Sequence, residues 1–359
     1  MRIWLPIAML AVMLTANPLL AKPSRAPVAN PFMLDPIFLR PDGAILTWTS
    51  GPVIDPYFPT KALMLAQDNG MDISDIGTRW VDWMLAHQND NGLFGRYCYK
   101  EEQNTYDVCG TADADDAMMA MWIELLYRLA PRGGLPNTWF ESAQKAQYQL
   151  DSIFDAKAGV FLISKAMPVG LLMDNIEIYA AYKSIERNAI RMTDNKVAQE
   201  YHARAEYLKN GIIPTFWDTK AHNFKASTQD RTENDFYPDS VAQLIPIMYG
   251  FSSPAIKLPA NFYAKWMKDH RDEWFALIGK DYPWGLLAAF AMQHGDLMTA
   301  NCWLQQSTPF RYVTQWNILD EAAFQSINWK LRRKWPTELP TCTITSEKAP
   351  PEKKGGKVA

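Results

Sequence analysis

Carboxylates recur in this chain, most of them beside aromatic rings, each time at the mouth of an apolar run. Asp55-Pro56-Tyr57-Phe58 leads into 60–67, and Asp113-Ala114-Asp115-Asp116 leads into 117–129. Asp174-Asn175-Ile176-Glu177 leads into 178–190, and Asp235-Phe236-Tyr237-Pro238-Asp239-Ser240 opens 241–251. Asp281-Tyr282-Pro283-Trp284 precedes 285–293, and Trp316-Asn317-Ile318-Leu319-Asp320-Glu321 precedes 322–331. For any single Asp, helix capping and the helix dipole suffice as an explanation. They do not account for Asp113, Asp115 and Asp116 together, or for Asp235 with Asp239. Nor does capping ask for Tyr57, Tyr237, Tyr282, Trp284 and Trp316 beside those acids. Crowded carboxyls on a partly dry rim have another use. Repulsion and burial raise one pKa while a neighbour stays ionised. Such a pair is what hydrolysis of a glycosidic bond requires. The aromatic rings offer flat apolar faces to sugars.

The elements that must carry these turns are helices. Apolar residues at three- and four-residue steps, with Asn, Gly and Pro as stops, predict about eleven of them and almost no strand. The expected spans include 74–88, 137–154, 175–191, 195–213, 259–275 and 319–333. Helices of a broadly apolar type, each opened by an acidic aromatic turn, alternate with more clearly amphipathic ones. An inner ring shielded by an outer ring satisfies this alternation. The expected fold is therefore all-α, an (α/α)6 barrel or six-hairpin toroid. One outer helix is missing or replaced by the N-terminal stretch. In such a ring all inner N-termini face one end, which gathers the six turns. A solenoid would show regular repeat lengths, and these are irregular. The stretch 93–110 reads as an irregular loop.

The chain has 359 residues, 48% of them apolar, and a formal net charge of −3. Without a basic field it is not a nucleic-acid binder. Arg2, the apolar run 3–16 and Leu19-Leu20-Ala21 form a secretory signal pattern over 1–21, which places the mature chain in the periplasm or outside the cell. One domain over 22–342 and a disordered polar tail over 343–359 are expected. No span crosses a membrane once the signal is cleaved. In an oxidising compartment the four cysteines pair. The preferred pairing is Cys98 with Cys109 and Cys302 with Cys342, among three connectivities. The five His are scattered and no Cys-x-x-Cys spacing exists, so neither a metal nor a cofactor is expected.

Three segments resemble family-8 glycoside hydrolases, which include bacterial endoglucanases and chitosanases, within the six-hairpin glycosidases. Val53-Ile54-Asp55 with 62–66 resembles the segment carrying the general acid, with Asp where that family has Glu. Thr111-Ala112-Asp113-Ala114-Asp115 resembles its Ala-Ser/Thr-Asp-x-Asp segment, and Tyr237-Pro238-Asp239-Ser240 its base segment. The resemblance implies endo-acting, inverting hydrolysis of a β-linked polysaccharide. Asp55 would be the acid, Asp239 the base, and Asp115 the residue holding the central sugar. Tyr57, Asp113, Asp174, Asn175, Glu177, Tyr237, Tyr282, Trp284 and Trp316 are the candidate substrate contacts, and Asp174 or Glu177 is an alternative acid. The expected partner is a polysaccharide, a bacterial exopolysaccharide for example, with synthesis and export machinery nearby. A polysaccharide lyase using Tyr97, Arg96, Tyr237, Asn175 or His87 is a second reading. A non-catalytic carbohydrate-binding protein of an export system is a third.

Overall fold

The structure is a computed structural model that describes residues 30–229, 234–313 and 315–343. The signal pattern over 1–21 and the tail from 344 onward lie outside the described residues. Among those residues there are eleven α-helices. Six of them form an inner ring: α1 (Tyr57–Asp68), α3 (Asp115–Leu129), α5 (Leu172–Arg191), α7 (Val241–Met248), α9 (Gly285–Gln293) and α11 (Ile318–Lys334). The other five lie outside them: α2 (Ser74–His87), α4 (Asn137–Ser152), α6 (Asn195–Phe216), α8 (Phe262–Ala276) and α10 (Leu297–Ser307). The fold is an all-α helical barrel.

Hydrophobicity sorts the two rings. In α3 burial is continuous from Asp116 to Tyr127, and in α9 from Gly285 to Met292. A helix apolar on all sides must be covered on all sides. By contrast α4 buries one stripe, Ser142, Ala143, Ala146, Gln147 and Leu150. Around the ring α1 packs on α3 and α11, α3 on α5, α5 on α7, and α9 on α11. Between α7 and α9, Trp284 packs against Phe236 and Tyr237. Outside, α4 covers α3, α6 covers α5, and α10 covers α9 and α11.

The N-terminal stretch takes the sixth outer place. Ile318 N donates to Thr47 O, Thr49 N to Trp316 O and Gln325 Nε2 to Met33 O, which lays 33–49 along the start of α11. Arg79 of α2 donates to the carbonyls of Arg40 and Pro41 from the other side.

Some local expectations are corrected. The stretch expected as an irregular loop contains an antiparallel hairpin, Gly95–Lys100 against Thr105–Thr111, which Val53–Ile54 extends. Alternating Tyr97, Tyr99, Tyr106 and Val108 favour strand, and Asn104 turns the chain in the left-handed region. Cys98 and Cys109 are bonded across this hairpin, and Cys302 and Cys342 fasten the C-terminal stretch to α10. The cap of α6 is Asp194, whose side chain accepts from Val197 N. The run expected over 241–251 ends at Met248, with Gly250 at φ 67°. No helix among the described residues is long and apolar enough to cross a membrane.

Candidate active site

All six inner helix starts contribute to one cavity of about 280 Å³ at the mouth of the ring. From α1 come Tyr57, Phe58 and Lys61. Asp113 and Ala114 precede α3, and Met173 and Asp174 belong to α5. Tyr237 precedes α7, Tyr282 and Trp284 precede α9, and Leu319 comes from α11. The wall is largely aromatic. Tyr237 lies 5.1 Å and Tyr282 4.7 Å from Trp284, centroid to centroid. Tyr282 also meets Phe58 and Trp48. Tyr237 is 44% exposed, so its face is available to a ligand. Ala114 and Trp284 hold φ values of 47° and 52° just before α3 and α9. Left-handed backbone at non-glycine residues is unfavourable, by about 1–3 kcal/mol each, and is concentrated at functional sites.

Two carboxylates line this cavity. Asp113 is exposed at its edge. Asp174 is 1% exposed, and its Oδ2 makes no hydrogen bond among the described residues. Burial pushes the Asp174 carboxyl well above the usual range, and the charges of Asp116, Glu177 and Asp113 push it further. The shift favours the protonated form of Asp174. Behind it Asp116 is fully buried, and burial lifts it to about 8. Beneath both, Lys61 forms a buried ion pair with Glu177. Lys61 Nζ also lies 2.6 Å from the Tyr57 hydroxyl, which reaches Glu177 at 3.0 Å, and the Tyr249 hydroxyl reaches Glu177 at 3.4 Å.

The remaining candidates lie elsewhere. Asp55 is 1% exposed and saturated: Oδ2 receives Arg96 Nε at 2.8 Å and Asp113 N at 3.1 Å, and Oδ1 receives Tyr57 N. It anchors the turn before α3. Asp115 is half-buried and does not line the cavity. Burial and the Asp55 charge push it up to about 6. Asp239 also lies off the cavity wall. Its Oδ2 accepts from Asp235 N at 3.0 Å, a local turn bond. The base position of the family-8 resemblance is thus away from the cavity. Asn175 spends its side chain on backbone groups of Phe161 and Leu171. Trp316 is a core residue, 1% exposed, stacked on Trp303 and bonded to Glu321.

Lys61, Phe58 and Met173 were not among the candidates read from sequence. For Lys61 a signal existed: it is the lone charge in the apolar run 58–66. Its pairing to Glu177, 116 residues away, is a tertiary fact.

No family model and no curated protein matches this chain. Among solved structures it is similar to an uncharacterized conserved protein from Thermus thermophilus. The TM-score is 0.52 at 10% identity, over 82% of this chain and 97% of that one. It also matches a GH63 mannosylglycerate hydrolase from the same organism, solved in complex with Tris. There the TM-score is 0.33 at 12% identity, over 81% of this chain and 85% of that one. The first likeness is one of fold alone, and the second, at its TM-score, carries no argument.

Proposed function

We propose that this protein is a glycoside hydrolase, with Asp174 as general acid and Asp113 as general base. The observation that carries the reading is the mouth cavity itself: an aromatic wall with two carboxyls, one buried and raised in pKa, one exposed. In the reaction Asp174 gives its proton to the leaving glycosidic oxygen as the bond to the anomeric carbon breaks. Asp113 takes a proton from the water that adds to that carbon. Attack by water, with no covalent intermediate, inverts the anomeric centre. Tyr237 and Trp284 hold the sugar by its apolar face.

A lyase would need a phenol or imidazole that ionises easily. Burial and the charges of Asp174, Asp113 and Glu177 raise the Tyr237 hydroxyl, which works against that role. Lys61 in the cavity is neutralised by Glu177, so among the described lining residues a uronate finds no free cation. The proposed substrate is a β-linked polysaccharide, such as a bacterial exopolysaccharide, or its fragments. The place of action is the periplasm or the cell exterior, beside synthesis and export machinery.

The test is release of new reducing ends from a panel of β-linked polysaccharides and oligosaccharides. Asp174→Asn and Asp113→Asn are each expected to lower the rate about 10²–10⁴-fold, with the thermal midpoint retained. Binding without any shortening, or a product absorbing in the ultraviolet, removes the hydrolase reading.

A further inference from the structure

The mouth cavity draws on all six inner helix starts and is closed below. Each inner helix start sends at least one residue to the wall: Tyr57, Asp113, Asp174, Tyr237, Trp284 and Leu319. The floor is as definite. A second cavity of about 290 Å³ occupies the ring below, and Lys61 and Leu286 line both. Between the two lie Lys61, Tyr57 and Glu177, 4%, 5% and 2% exposed, in one ion-paired and hydrogen-bonded group. A buried ion pair with its hydrogen bonds filled resists opening, because parting it strands two charges away from water. The ring lumen is thus partitioned, and the mouth cavity is blind.

We propose that the cavity takes the end of a saccharide chain and not its interior, so that the protein releases terminal units. This rests on the glycosidase reading of the same cavity and replaces the endo mode that the family-8 resemblance implies. Asp174 is buried in the cavity and Asp113 stands at its edge. The bond they cleave therefore lies between the edge and Asp174, and the part of the substrate beyond it must fit above the Lys61–Glu177 floor. Pockets for small ligands run from about 300 to 1,000 Å³. At about 280 Å³ this one has room for roughly one or two sugar rings and none for a continuing chain.

The experiment gives the full protein linear β-linked oligosaccharides of glucose, galactose and glucosamine. Each is supplied free, blocked at its non-reducing end by a bulky ketal, blocked at its reducing end, and as a cyclic form where one exists. Viscosity of the parent polymer is followed together with reducing ends. Binding of the same set to Asp174→Asn is read from Trp fluorescence. The expected result is stepwise release of a mono- or disaccharide with viscosity lagging behind. Cyclic forms and one of the two end-blocked forms should be neither cut nor bound. Cleavage of cyclic or doubly blocked chains, or viscosity falling ahead of reducing ends, overturns chain-end recognition while the hydrolase reading stands. Equal binding of linear and cyclic forms by Asp174→Asn also overturns it. Failure of every linear probe to be cut or bound overturns the hydrolase reading, and this inference with it.

Discussion

Asp174 and Asp239 occupy comparable places near the starts of α5 and α7, yet one lines the cavity and the other closes its own turn. The difference lies in what each oxygen touches. Asp239 satisfies Asp235 N, so its loss removes a local turn bond. Asp239→Ala is expected to lower stability by about 0.5–2 kcal/mol, the range for a lost cap. Hydrolysis should stay within a few fold of the parent. A urea midpoint beside a reducing-end assay checks both, and abolished activity in a folded variant would restore Asp239 to the site. Asp55 shows the same logic in reverse. Its buried carboxyl is raised by desolvation and pulled back by Arg96, and the ion pair makes it an anchor.

At the scale of elements, close helix approach sets the cavity's shape. A Cβ on Gly285 would stand 2.8 Å from Ala323 Cβ and 2.9 Å from both Asp320 Oδ1 and Trp303. Only glycine lets α9 lie so near α11, where Gly285 N donates to Asp320 at 2.7 Å. Gly285→Ala is expected to destabilise by about 1–3 kcal/mol through overpacking, read from chemical unfolding. It should also weaken saccharide binding, since Trp284 and Leu286 flank the displaced residue. The hairpin is a second positioning element, because it delivers Arg96 to Asp55. Cys98→Ser with Cys109→Ser opens a loop of 11 residues, which the chain-entropy model puts at about 2–3 kcal/mol. The Cys302–Cys342 loop spans 40 residues, and its removal should cost more, about 4 kcal/mol of stability on the same model, and lower the thermal midpoint further.

Over the whole molecule, the convergence of acids makes stability depend on pH in an unusual sense. Burial holds Asp116 at about 8, and burial holds Asp320 at about 8 against the pull of Gly285 N and Asn317. An unfolded Asp titrates near 3.9. Between about 4 and 8 the native state therefore binds more protons than the unfolded state, so stability falls as pH rises. The contribution is complete below the unfolded value and is lost as pH passes the folded one. The thermal midpoint should drop from pH 5 to pH 8. Asp116→Asn should flatten that slope, with little change at pH 5 and a gain at pH 8. A parent protein whose midpoint rises over this window would contradict the burial of these acids. Asp174, raised by burial and its neighbours, adds to the same trend and links activity to it: hydrolysis fades as that proton is lost.

The ring itself was legible in the amino-acid order, because hydrophobic periodicity is local. Six acidic turns, four of them carrying aromatic rings and each opening an apolar run, announce an inner ring with its starts gathered at one end. The hairpin over 95–111 was not legible, because four tyrosine and valine positions interrupted by Cys, Asp and Gly give a weak period. Which carboxylates would meet was also beyond local reading. A capping Asp and a catalytic Asp share residue type, spacing and neighbours. They differ only in how packing turns each helix start toward the lumen. Rotation of α5 placed Asp174 in the cavity and Glu177 on Lys61, and the turn before α7 gave the cavity Tyr237 instead of Asp239. The sequence alone determined that acids and aromatic rings would share a rim. Tertiary packing decided which of them face one another, because burial, charge repulsion and hydrogen-bond geometry act between residues that the chain order keeps far apart.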